Sequence, residues 1–137
     1  MNQEFKDKIE ELRKNHNEAE HYFLKKAAYE VKPKELKELI EDENIEIVDV
    51  RTHEEYEKGH LPKAISIPVE ELENNVEEVK HKLNHEKLHV VYCYCPFCNF
   101  ARTAAIILAH HNYKVAVLKG GYKGWHKKLM YAIESEE

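Results

Sequence analysis

Apolar residues in the first thirty positions recur at helical spacing. Phe5, Ile9, Leu12, Ala19, Phe23 and Ala27 stand three, four or seven apart and share one stripe, with Lys and Glu over most of the other face. The pattern predicts a helix through residues 1–30, set ahead of a domain over 31–137. Pro33 opens a second helix, since its missing N–H costs nothing in a first turn, and Leu36, Leu39 and Ile40 form its buried side. The period then changes. Residues 45–50 are a β-branched run ending at Arg51, the pattern of a buried parallel strand. Thr52 with Glu55 three residues on makes a capping box for a short helix that stops at Gly59. A strand over 64–67 closes at Pro68, and helical spacing returns from Val69 to Leu83. A strand over 88–92, a helix over 100–111 and a last strand over 115–118 follow. Gly120-Gly121 then turns the chain into a helix holding Trp125, Leu129 and Met130. Strands alternating with helices indicate βαβ units, so the expected fold class is α/β: a central, mostly parallel sheet flanked by helices, with an extra N-terminal helix.

Composition narrows the classes. The 137 residues suffice for one self-sufficient domain, and 42% hydrophobic content excludes a disordered chain. A net charge of −5 gives no reason to expect nucleic acid as a partner. No apolar run reaches the roughly 18 residues of a membrane span, and the charged N-terminus has no apolar signal core. A cytoplasmic location without a membrane partner is therefore expected. The three cysteines, Cys93, Cys95 and Cys98, fall within six positions. Such a clustered, odd set is reactive thiol or part of a metal site rather than a disulfide framework. One of the ten histidines could complete a tetrahedral set. No second cysteine pair or tight His–x–His spacing does so, and no metal is expected.

In open parallel sheets, ligands bind beyond the carboxyl ends of the strands. Cys93 directly follows the strand 88–92, and Tyr94, Cys95, Pro96, Phe97, Cys98 and Asn99 lead into the helix that begins near Phe100. Backbone N–H groups and a helix dipole at such a turn favour thiolate, the nucleophilic form. Cys95-Pro96-Phe97-Cys98 is also a C-x-x-C, and this stretch resembles the active-site turn of glutaredoxins, which implies dithiol redox chemistry. In that family the motif follows the first strand, whereas here about ninety residues precede it.

A wider resemblance is carried by three separated motifs. Asp49-Val50-Arg51-Thr52-His53-Glu54-Glu55-Tyr56, with Gly59-His60-Leu61-Pro62-Lys63-Ala64 and Ile67-Pro68, resembles the first signature of the rhodanese-like domain. Val90-Val91-Tyr92-Cys93 resembles that family's strand and nucleophile, and Leu118-Lys119-Gly120-Gly121 with Trp125 its closing signature. Together they cover residues 31 to about 130 in the right order. Tyr22-Phe23-Leu24 and Ala27-Ala28-Tyr29-Glu30, with the expanded loop, are similar to a subgroup of single-domain bacterial members.

The resemblance implies a sulfurtransferase without metal or organic cofactor. A cysteine takes a sulfane sulfur from thiosulfate, a polysulfide or another persulfide, holds it as a persulfide, and passes it to a thiol, a protein or another nucleophilic acceptor. Aligned from the strand the nucleophile is Cys93; counted back from the helix it is Cys95, because the loop is two residues longer than usual. The expanded-loop subgroup implies Cys98 as a second thiol. The substrate-binding loop is then Tyr94, Pro96, Phe97, Asn99, Phe100 and Arg102, with Tyr94, Phe97 and Phe100 either walling the sulfur or simply packing. Residues 94–101 contain no Lys or Arg, so anionic thiosulfate has less electrostatic help than in the common family loop. Asp49 and Arg51 are expected to support the loop through hydrogen bonds. Phosphatase chemistry is disfavoured, because the positions six after each cysteine hold Asn99, Ala101 and Ala104 rather than Arg. The rival readings are a dithiol oxidoreductase using Cys95 and Cys98, and a catalytically silent binding module. The N-terminal stripe is expected to dock on its own domain, with a homodimer through this helix as the alternative.

Overall fold

The computed structural model describes residues 2–95 and 99–136. Five strands, β1 (Glu30–Val31), β2 (Ile45–Asp49), β3 (Ile65–Ser66), β4 (Leu88–Tyr92) and β5 (Lys114–Leu118), form one sheet in the order β1-β5-β4-β2-β3. Every pairing is parallel, and β2 and β4 run in step from Ile45 opposite Leu88 to Asp49 opposite Tyr92. The fold is α/β, as the sequence predicts.

Side-chain alternation splits the core. Val48, Val50, Val91 and Cys93 face one layer, with α5 (Val69–Asn74) and α6 (Phe100–His110) packed over them through Leu72, Ala101, Ala104 and Leu108. Ile47, Val90, Tyr92, Ala116 and Leu118 face the other, covered by Leu36 of α3 (Pro33–Leu39), by Leu61 and by Trp125. The helix α4 (His53–Lys58) starts at Thr52 with both capping-box bonds in place and ends at Gly59. Among the described residues no helix is long and apolar enough to cross a membrane.

Four expectations need correction. The helix predicted over 1–30 is two helices, α1 (Gln3–Arg13) and α2 (His16–Tyr29), because Asn15 turns its side chain onto the Glu18 N–H at 3.1 Å and caps a new start. Residue 30, assigned to that helix, instead begins β1 and pairs with Val117. The helix predicted over 69–83 stops at Asn74. Asn75 adopts an extended backbone, and its Oδ1 accepts from Glu77 N at 3.1 Å, the local competition by which Asn interrupts helices. Two 3₁₀ turns, Val76–Glu78 and Lys80–Lys82, follow, and Val76 and Val79 stay buried because three-residue spacing suits that geometry as well. The final helix is a single wide turn, Lys123–Lys128, that buries Trp125 and leaves Leu129 and Met130 exposed.

Beyond it the chain straps back across the domain. Glu134 and His60 exchange backbone hydrogen bonds at 2.9 Å each, and His60 Nε2 lies 3.1 Å from the Glu136 carboxylate. The His60 ring is buried and stacked on Tyr56 at 3.8 Å.

Candidate thiol site

Cys93 stands one residue beyond the central strand β4, so pleat alternation sends its side chain to the α6 face, beside Val50, Ala101 and Ala104. It is 3% exposed and held in a disulfide. Its Sγ lies 3.6 Å from the Cys95 carbonyl oxygen, a contact rather than a hydrogen bond, since a disulfide sulfur has no proton to donate.

A cleft of about 440 Å³ opens over this sulfur, and three separate parts of the chain build it. Cys93 and Cys95 form the floor with Asn99, Ala101 and Arg102 from the start of α6. The end of β5 and the turn after it supply Lys119, Gly120 and Gly121, and the junction of α2 with β1 supplies Tyr29 and Glu30. Asn99 occupies the N-cap position of α6 without a side-chain capping bond; its Oδ1 accepts from Arg102 instead, at 2.6 Å. The positive end of an eleven-residue helix therefore borders the cleft, with Arg102 fixed along the rim.

The turn after β5 clamps the thiol loop through its backbone. Tyr122 N donates to the Cys93 carbonyl at 2.8 Å, and Lys123 N to the Tyr94 carbonyl at 2.7 Å. Gly121 permits this approach: its φ is +59°, and a Cβ there would lie 2.6 Å from the Cys93 oxygen.

Beneath the loop lies a buried polar network. Asp49 accepts from Arg51 N at 2.9 Å, from Arg51 Nε at 3.0 Å and Nη2 at 2.7 Å, and from Tyr92 Oη at 2.6 Å. Arg51 also donates to the Gly59 carbonyl at 2.6 Å and lies 4.1 Å from the centre of the Tyr122 ring. Burial opposes the guanidinium charge, but the bond and charge of Asp49 outweigh it and hold its pKa above the ordinary value. Burial, and then the Asp49 carboxylate, raise the Tyr92 pKa well above that of an ordinary phenol. Tyr92 Oη in turn accepts from Leu61 N at 3.1 Å. The network ties the ends of β2 and β4 to the loop at residues 59–61, and it lies outside the cleft lining.

The structure thus brings Cys93, Cys95, Asn99 and Arg102 to one cleft and sets Asp49 and Arg51 below it. Tyr94 and Phe100, expected in the substrate loop, are 38% and 53% exposed and are not among the lining side chains. Pro96, Phe97 and Cys98 lie outside the described residues. Among the described residues no three His, Cys, Asp or Glu side chains are grouped to hold a metal ion. Sequence reasoning missed Tyr29, Glu30 and Lys119 as cleft residues. Lys119 was within reach, since it directly follows the carboxyl end of β5, where ligands gather in parallel sheets.

Comparison with known proteins extends this picture. The BH2092 protein of Bacillus halodurans superposes with a TM-score of 0.81 at 36% identity, over 89% of this chain and 88% of that one. An HTH-type transcriptional regulator of Mycobacterium tuberculosis is 37% identical over 81 residues, which are 59% of this chain and 34% of the regulator. A tRNA uridine(34) hydroxylase of Leptospira interrogans is 33% identical over 99 residues, 71% of this chain and 27% of the hydroxylase. The chain thus spans about a third of the regulator's length and about a quarter of the hydroxylase's. The family model described as the rhodanese-like domain matches residues 32–128, from just before α3 to the last helical turn, with the thiol loop inside it. With most of its length under that match, this chain belongs to the rhodanese-like domain family.

Proposed function

We propose that the protein is a sulfurtransferase that carries sulfane sulfur as a persulfide on Cys93. The observation behind this reading is the position of Cys93: one residue past the central strand, under the positive end of α6, and open to a cleft. The Cys93 thiolate attacks the outer sulfur of a donor, the donor's S–S bond breaks, and its electron pair leaves with the remainder, which is sulfite if the donor is thiosulfate. An acceptor thiol then takes the outer sulfur: Cys93–S–S⁻ and RSH give Cys93–S⁻ and RSSH. Arg102 and Lys119 line the cleft beside Glu30, so an anionic donor meets two cations and one carboxylate. The cleft is thus more basic than residues 94–101 alone suggest, and small anionic donors, thiosulfate and polysulfide alike, suit it.

The disulfide at Cys93 supports thiol exchange as part of the same cycle. With Cys98 as the resolving thiol, Cys93–S–SH and Cys98–SH give a Cys93–Cys98 disulfide and H₂S, and a cellular thiol supplies the two electrons that reopen it. A cycle closed in this way needs a reducing compartment, which fits the cytoplasm.

Intact mass of the reduced protein after incubation with polysulfide or thiosulfate, followed by peptide mapping, tests the reading. One added sulfur on Cys93, removable by cyanide, is the expected result. A loss of two hydrogens with a Cys95–Cys98 link and no sulfur gain would establish the dithiol oxidoreductase instead. No reaction at any cysteine would leave a binding module.

A further inference from the structure

We propose that the thiol cleft continues into an apolar groove along β5, and that this groove seats the sulfur acceptor, a thiol on an elongated apolar body about ten carbons long. The proposal rests on the persulfide reading of Cys93 and names the class of molecule that empties it.

The short partner strand β1 leaves room for the groove. It pairs only with Val117 and Leu118, so no strand shelters the first half of β5 on that side. Val115 and Val117 turn to the α6 face of the sheet and stay only partly buried. Above them lies a cavity of about 580 Å³. It shares Tyr29, Arg102 and Val117 with the cleft over Cys93, so the two hollows adjoin over a common floor residue. α6 forms one bank, where Arg102, Ile106 and Ala109 recur at four- and three-residue steps. Ala28, at the end of α2, stands on the other, and Lys114 marks the far end. From Lys119 in the cleft to Lys114, five strand residues on, the trough runs about 16 Å, the length of an extended chain of ten to twelve carbons.

The lining selects the occupant. Among the described residues no carboxylate or side-chain amide faces the groove, so a polar body would give up its water there without return. The cleft, with Arg102 and Lys119, suits a small anionic donor, and such a donor leaves the groove unfilled. The acceptor is the reactant left to fill it. Arg102 borders both hollows where the acceptor's sulfur passes toward Cys93, and its charge favours the attacking thiolate. That sulfur bonds to the outer sulfur of the Cys93 persulfide, and the inner S–S bond breaks. The electron pair stays on Cys93 as thiolate, and the acceptor's proton ends on the product RSSH.

Single-turnover transfer from sulfur-loaded protein to ω-mercapto alcohols of three, six, nine and eleven carbons tests this, with loss of the Cys93 sulfur followed by intact mass. The second-order rate should rise roughly 2-fold per methylene, the effect of half-burying each CH₂, for a gain of about 50-fold from three to nine carbons. It should level off by eleven. Ala109→Phe and Ala28→Phe fill the groove from opposite banks at exposed positions, and each should flatten the rise to below about 1.3-fold per methylene. 1-Nonanol, which has no thiol, should shift the amide resonances of Val115, Val117 and Ala109 and leave those of α4 in place. Sulfur on Cys93 with a rate indifferent to chain length, or a rise that both variants keep, would overturn the groove and leave the persulfide standing. No sulfur on Cys93 alongside the nonanol shifts would overturn the persulfide and its acceptor together. Absence of the shifts would by itself overturn the groove.

Discussion

A methyl group on Gly121 would stand 2.6 Å from the Cys93 carbonyl and 2.9 Å from that of Tyr94, on a backbone with φ of +59°. The substitution Gly121→Ala therefore combines a clash with backbone that cannot yield and a left-handed conformation. It should cost about 2–4 kcal/mol of stability, read by urea unfolding, and should slow sulfur loading by displacing the clamp on the thiol loop. Tyr92 gives a different signature. Its folded pKa is raised, so the phenol stays protonated in the native state while the unfolded chain gives up that proton near pH 10. The unfolded state then binds fewer protons, and stability falls as pH rises above about 10, by up to about 1.4 kcal/mol per pH unit for this one group. Tyr56 and Tyr122 are raised by burial as well, so the clean measurement is a difference. Tyr92→Phe should flatten the alkaline slope relative to wild type. It should also lower neutral stability by about 1–3 kcal/mol, since Asp49 and Leu61 N each lose a buried partner. At this scale the sequence exposed residues whose position follows from their own strand: Cys93 after β4, and Asp49 and Arg51 at the end of β2. Tyr29 and Glu30 stayed hidden because they reach the cleft from sixty positions away through a pairing with β5 that local spacing does not encode.

Among the elements, the clearest signals were those with a chemical start and stop. Thr52 Oγ1 accepts from Glu55 N at 3.1 Å, and the Glu55 carboxylate returns toward Thr52 N at 3.4 Å. Thr52→Ala should cost about 1 kcal/mol, visible as a lowered thermal midpoint, with α4 fraying beside the buried network. Strands β2 and β4 were legible for a related reason: covered on both faces, they are short, mostly apolar runs built around Ile45, Ile47 and Val48 in one and Leu88, Val90, Val91 and Tyr92 in the other. Strand β1 has two residues, too few to show any period. Apolar positions three apart fit an α-helix and a 3₁₀ turn equally, so Val76 and Val79 revealed burial while concealing the backbone that achieves it.

Across the whole molecule, protection should follow the sheet order. β4 lies between β5 and β2, and Val90, Val91 and Tyr92 have no exposed surface. Its amides should exchange with solvent at rates near the global unfolding limit, whereas those of α4, which contains no buried residue, should exchange at least about 100-fold faster. Native-state hydrogen exchange followed by mass spectrometry would read both. The alternation of strands and helices along the chain makes this architecture legible in the sequence. The closing segment was not, because the backbone bonds between Glu134 and His60 join residues 74 positions apart and need no particular side chain.

That strap has a practical consequence for anyone handling the protein. Glu134 holds His60, the carbonyl of Gly59 next to it holds Arg51, Arg51 holds Asp49, and Asp49 holds Tyr92, the residue before Cys93. A protease nick or an early stop codon that removed residues 131–137 would leave every cleft side chain in place and yet unfasten the first link of this series. Batches trimmed at the tail should therefore differ from intact ones in how fast they take up sulfur, and a sample's age would be written in its kinetics before it showed as lost protein.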